Sequence, residues 1–142
     1  MGSNAARTVL IVEPDGDTRS ALRNSFESDG YTVIATGGAA DALSLLAAPE
    51  IKLVVTELYL ENGQDTCLVH TIRTAPAYEA KRVLAYTQHG RAKDREWAIA
   101  EGADGYVLKK NGEKRLLEVA GRLTRRKRSN KRRPGRTTRE PQ

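Results

Sequence analysis

Residues 53–57 read Leu53-Val54-Val55-Thr56-Glu57, a short apolar run, β-branched in three of its five residues, that ends on a carboxylate. Pro49-Glu50 precedes it and Glu61-Asn62-Gly63 follows. That length between those flanks predicts a strand buried on both faces. Such strands belong to parallel sheets, and α/β proteins place their chemistry beyond the C-terminal ends of parallel strands. Three further runs share the pattern: Val9-Leu10-Ile11-Val12 leads into Glu13, Val83-Leu84-Ala85-Tyr86 into Thr87, and Tyr106-Val107-Leu108 into Lys109. Side by side, these strands bring two carboxylates, a hydroxyl and an ammonium to one edge.

Working outward, Thr8–Val12 is the first strand, and Asp15 is a candidate N-cap for a helix that carries Leu22 and Phe26 on one face. Gly30 ends that helix as a left-handed residue would. Tyr31–Thr36 is the next strand, and Ala39–Leu46 a short helix with Ala42, Leu43 and Leu46 inward. Beyond the decisive run, Asp65 is placed to cap a helix burying Leu68, Val69 and Ile72, with Pro76 past its end. Then come the strand Arg82–Thr87, the polar-surfaced helix Ala92–Glu101 stopped by Gly102, and the strand Tyr106–Lys109. The last helix, Glu113–Leu123, offers Leu116, Leu117, Val119, Ala120 and Leu123 for burial. This alternation predicts an α/β fold, a doubly wound parallel sheet of five strands with right-handed crossovers and helices on both faces.

The 142 residues suffice for one domain, placed at residues 7–124. Residues 1–6 are set apart as an expression-tag remnant, and Ala6 stands where a myristoylation signal needs Ser or Thr. A single cysteine, Cys67, excludes an intramolecular disulfide and suits a reducing, cytoplasmic compartment. No apolar stretch is long enough to span a bilayer and no signal peptide opens the chain, so no membrane partner is expected. The net charge of +6 is unevenly spread. Residues 125–142 hold nine Lys or Arg and one acid, a net +8, which leaves −2 on residues 1–124.

Taken together, Val9–Glu13, Gly30–Val33, Leu53–Leu58, Thr87 and Gly102–Lys109 resemble the receiver domain of bacterial two-component response regulators, over about residues 7–124. The resemblance implies a flavodoxin-like (βα)5 fold with strand order 2-1-3-4-5. It also implies an acceptor carboxylate at position 57, phosphorylated by a histidine kinase, and an acid pair after the first strand that holds Mg2+. By the same resemblance Thr87 and Lys109 contact the phosphoryl oxygens. Tyr106 is the aromatic that moves with Thr87 and couples the site to the face of the fourth helix, fifth strand and fifth helix. That face would also serve a homodimer.

The acid half departs from the family pattern. Glu57 occupies the acceptor position with one methylene too many, and phosphoryl transfer depends almost wholly on positioning. The acid pair reads Glu13-Pro14, so one metal-facing carboxylate is missing. Asp15 either stands in beside Glu13 as a metal ligand or caps the first helix. Glu61 and Asp65 also depart from the family, as does Lys110, which replaces the proline of a cis peptide. These departures predict a degenerate receiver, without its own catalysis, acting through a signalling partner (a histidine kinase or a downstream effector). Two mechanisms are open. Glu57 reaches Lys109 and Thr87 and imitates phosphoaspartate, or the switch is inert and the domain is a fixed docking module. A Glu57–Lys109 pair is the specific local expectation.

Other residues read more plainly. His70 and His89 lack companions at metal-ligand spacing, with His89 taken as a solvated loop residue and Cys67 as buried. Trp97, on the fourth helix, marks an interaction face if it is exposed. The acids in Glu13-Pro14-Asp15-Gly16-Asp17 exclude a dinucleotide or flavin phosphate cradle after the first strand, and no Gly-x-Ser-x-Gly elbow or P-loop is present. The basic run is either a solvated extension or a sequence-blind nucleic-acid contact made through Arg125, Arg126, Lys127, Arg128, Lys131, Arg132 and Arg133.

Overall fold

The computed structural model describes residues 7–60 and 68–125. The readings of residues 1–6, of Glu61, Asp65 and Cys67, and of the basic run from Arg126 through Arg133 and beyond lie outside these. The elements are β1 (Thr8–Val12), α1 (Gly16–Ser28), β2 (Thr32–Thr36), α2 (Ala39–Leu45), β3 (Ile51–Thr56) and α3 (Leu68–Arg73). A 3-10 turn at Pro76–Tyr78 leads to β4 (Arg82–Thr87), α4 (Ala92–Glu101) and β5 (Gly105–Leu108). A second 3-10 turn, Lys109–Asn111, leads to α5 (Gly112–Arg125).

All strand pairs are parallel and the order is β2-β1-β3-β4-β5, the flavodoxin-like arrangement expected. Side chains alternate across the sheet, so each strand feeds two cores. Val54 of β3 joins Leu10, Leu46, Ile72, Val83 and Ala98 in the layer beneath α2, α3 and α4. Its neighbours Leu53 and Val55 join Ile11, Leu22, Phe26, Leu116 and Val119 beneath α1 and α5. Because both faces are covered, β3 and β4 read as apolar runs rather than as alternating ones.

Element ends differ from expectation by small steps with local causes. Tyr31 precedes β2 rather than opening it, because its backbone N–H closes onto Phe26 O while its buried ring meets Phe26 edge-on. Leu46 is the C-cap of α2 rather than its last residue. Lys109 begins a 3-10 turn instead of ending β5, and α5 runs on to Arg125, so the first residue assigned to the basic run is helical. Gly30 and Gly102 have the positive φ expected of helix terminators, 95° and 119°. Among the described residues no peptide bond is cis, including the one before Lys110.

Three cations in the core went unread in the sequence. Arg73 donates to the carbonyls of Gly102, Glu79 and Lys81 and pairs with buried Asp104 at 2.9 Å. Lys81 Nζ is turned onto the Ile51 and Ala48 carbonyls, and Arg82 Nε donates to Leu123 O. Burial pushes the Lys81 ammonium down from its ordinary pKa, with the charge of Lys52 adding to the effect.

Candidate functional site

The register β1–β3 pairs Val12 with Thr56, so the next residues, Glu13 and Glu57, stand side by side at the C-terminal edge. Both are buried, at 3% and 9% exposed. Two buried carboxylates in contact range need a counter-charge. Lys109 supplies it, with Nζ 2.9 Å from Glu13 Oε1 and 2.9 Å from Glu57 Oε1. The expected Glu57–Lys109 pair is present, and Glu13 is a second partner. Burial disfavours the ammonium, yet the hydrogen bonds and charges of the two glutamates outweigh it and raise the Lys109 pKa above that of an ordinary lysine.

The remaining oxygens are also engaged. Glu13 Oε2 accepts from the Asp15 N–H at 3.0 Å, and Glu57 Oε2 accepts from the Leu58 N–H at 2.7 Å. Asp15 is the N-cap of α1: one carboxylate oxygen accepts from both the backbone N–H and the hydroxyl of Thr18. Those two bonds lower its pKa. At position 14 only a carbonyl is offered, and it accepts from Arg19, which also holds the Glu13 carbonyl.

Mg2+ takes an octahedron of oxygens, usually with one or two carboxylates facing it. Here an ammonium stands between the two buried carboxylates, one of the two Asp15 oxygens is taken up by its cap, and Pro14 brings no side-chain oxygen. Among the described residues no group of three or more His, Cys, Asp or Glu is placed to hold a metal ion. This donor set does not fit Mg2+.

Thr87 and Tyr106 lie on the other flank. Thr87 is fully buried, and its Oγ1 accepts from the His89 N–H at 3.3 Å. It makes no hydrogen bond to Glu57, so the reach of Glu57 to both Lys109 and Thr87 is only half realised. The reason is that Glu57 turns its second oxygen back onto its own chain. The Tyr106 hydroxyl donates to the His89 carbonyl at 2.6 Å. Burial, then the nearby charge of Asp94, pushes its pKa up to about 12.

His89 is in the loop as expected, but half-buried rather than freely solvated. Its backbone is held by Thr87 and Tyr106, and its ring meets that of Tyr59 edge-on at 4.8 Å. Tyr59 in turn stacks on Trp97, which is 37% exposed, and donates to buried Asp94 at 2.9 Å. Arg91 completes the carboxylate, and its hydrogen bond is the main cause of the lowered Asp94 pKa. Sequence reasoning missed Tyr59 and Asp94. The one available signal was an acid in the first turn of a helix with little apolar face. His70 pairs with Glu101 across α3 and α4.

A protein-family model described as the response regulator receiver domain matches residues 9–120. The chain is 32% identical over 109 residues to an uncharacterized 14.6 kDa protein from the sodA1 3' region of Leptolyngbya boryana, a match covering 77% of this chain and 83% of that one. It is 30% identical over 117 residues to the response regulator protein FleR of Pseudomonas aeruginosa, covering 82% of this chain but 24% of FleR. Aerobic respiration control protein ArcA of Escherichia coli K12 is 28% identical over 102 residues, of which this chain spans 41% of the whole. Among solved structures, a putative response regulator from Chloroflexus aurantiacus superposes with a TM-score of 0.77 at 20% identity, over 84% of this chain and 98% of that one. Chemotaxis response regulator CheY4 of Vibrio cholerae gives 0.72 at 19%, over 82% and 98%. Sheet order and the match over residues 9–120 agree: the chain belongs to the receiver domain family of two-component response regulators.

Proposed function

We propose that this receiver acts by protein contact from a fixed state, without accepting a phosphoryl group and without catalysis of its own. The observation that carries the reading is Lys109 Nζ, 2.9 Å from both Glu13 and Glu57. In-line transfer needs a free acceptor oxygen, a metal to neutralise the moving phosphoryl group, and a cation free to receive it. Here both oxygens of Glu57 and the ammonium of Lys109 are already engaged, and the carboxylates that would face a metal are paired with that ammonium. Contact with Lys109 but not Thr87 makes Glu57 an incomplete imitation of phosphoaspartate, which favours a fixed docking module over a mimic of the activated form. The partner is a histidine kinase or a downstream effector, met on the face of α4, β5 and α5, where a homodimer would also form.

Intact mass after incubation with Mg2+ and acetyl phosphate tests this directly. The native chain should stay unmodified, and the double substitution Pro14→Asp with Glu57→Asp should gain one phosphoryl group. A phosphorylated native chain would overturn the reading. If Glu57→Asp alone reacts, the longer carboxylate is the whole lock and Pro14 is incidental.

A second reading rests on charge. The net +8 over residues 125–142 suits weak, sequence-blind contact with a nucleic-acid backbone in addition to protein docking.

A further inference from the structure

Tyr59 lies two residues beyond Glu57 and reaches across to α4. Its ring is stacked on Trp97, with centroids 5.8 Å apart and planes 17° apart, and its hydroxyl ends on Asp94. Asp94 is 3% exposed in the first turn of α4, and a carboxylate so buried holds its donors tightly. Such an anchor matters here because α4 buries only Asp94 and Ala98 of its own residues. Its seat on the sheet depends on groups that other elements bring to it.

Between Glu57 and Tyr59 stands Leu58, whose side chain is wholly buried and whose N–H is bonded to Glu57 Oε2. Oε1 of the same carboxylate is the one held by Lys109. A change in the ion pair therefore bears on the Leu58 amide, and the next residue is the one clamped on α4. We propose that Tyr59 carries the state of the Glu57–Lys109 pair to α4, along a path through Leu58, Trp97 and Asp94 that does not need Thr87 to move. Thr87 and Tyr106 meet this path at His89, whose backbone they hold while its ring rests on Tyr59. What α4 then presents outward is half-exposed Trp97 between the exposed cations Lys93 and Arg95 and the exposed Ile99. The path depends on the ion pair alone; whether the domain is ever phosphorylated is a separate matter, read by mass.

Coupling requires two arrangements at one end, and removing the ammonium supplies the second. Hydrogen exchange of the α4 amides, normalised to those of β1, is compared in the full chain for native protein, Lys109→Met, Tyr59→Ala and the double variant. Lys109→Met should speed α4 exchange by about threefold to tenfold. In the Tyr59→Ala background α4 exchange is fast already, and Lys109→Met should add nothing. Tyr59→Phe keeps the stack but loses the Asp94 bond, so it should fall between the two and serves in the same cycle if Tyr59→Ala does not fold. Emission from Trp97, the single tryptophan, should follow the same pattern. Equal acceleration in both backgrounds would assign the coupling to Thr87 and Tyr106 and overturn the proposal. An α4 unchanged by Lys109→Met would overturn it as well.

Discussion

Lys109 faces two carboxylates that water scarcely reaches, so its removal should harm the fold more than removal of either acid. Taking one partner from a buried pair leaves an uncompensated charge, which costs several kcal/mol. Lys109 is itself a quarter exposed, which softens the loss. Lys109→Met should lower unfolding free energy by about 2–3 kcal/mol in urea. Glu57→Gln keeps the Leu58 bond and leaves Glu13 paired, so it should cost about 1 kcal/mol. Equal losses would mean that the ammonium is not the centre of the site. Alkali tests the same residues. Lys109 has a folded pKa above 10.5, and Tyr106 one raised from 10.0 to about 12. In each case the folded state holds its proton after the unfolded chain has released it, so stability is complete below about pH 10 and falls as pH rises through the folded values. Thermal midpoints should be flat from pH 8 to 10 and decline toward pH 12, with tyrosinate absorbance from Tyr106 appearing late. The residue types at this edge were legible in the sequence because each ends an apolar run. The Glu57–Lys109 pair and the Asp15 cap were expected as well, but the other partners were not: that Glu13 shares the ammonium, or that Glu57 Oε2 folds back on Leu58, depends on ångström-scale choices among competing donors.

Elements whose burial repeats at 3.6 or 2 residues were legible almost to their ends. Leu22 and Phe26 of α1 and Leu116, Val119 and Ala120 of α5 face one core as the spacing requires. Helix α4 has no such stripe, and what seats it comes from Tyr59 and from the β4–α4 loop. Its far end is fixed by Gly102, where φ is 119° and an added Cβ would lie 2.2 Å from Arg73 Cγ. Gly102→Ala therefore meets both a left-handed backbone and a buried arginine that ties α3 to Asp104. It should destabilise the protein by about 2–4 kcal/mol in urea, whereas Gly112→Ala, with nothing within 4 Å of its Cβ, should cost only the strain of its positive-φ, extended-ψ backbone, about 1–3 kcal/mol. Similar losses at both would mean that Arg73 yields freely. Arg73, Lys81 and Arg82 show why composition misleads at this scale. A cation reads as surface in any local pattern, and these three are inside because backbone carbonyls left open between elements need donors.

For the whole molecule, charge is divided between a body at −2 and the run 125–142 at +8. If the run meets nucleic acid, the logarithm of the binding constant for a duplex should fall against the logarithm of salt with a slope of roughly −4 to −8, and a chain ending at Arg125 should lose that binding while keeping its thermal midpoint. Retained binding in the shortened chain would exclude the run as the contact. By itself the sequence determined the alternation of strands and helices, the two-sided burial of β3 and β4, and the set of polar residues at the strand ends. Local periodicity and residue type carry that information, since a strand covered on both faces has to be apolar and a strand end has to be polar. Only the tertiary structure decided that the expected Glu57–Lys109 pair has a third member and what seats α4: the β1–β3 register sets Glu13 beside Glu57, Lys109 answers both, and Tyr59 clamps α4 through Trp97 and Asp94. Those contacts join residues 35 to 96 positions apart, and no local pattern records which side chains a folded sheet will bring within 3 Å.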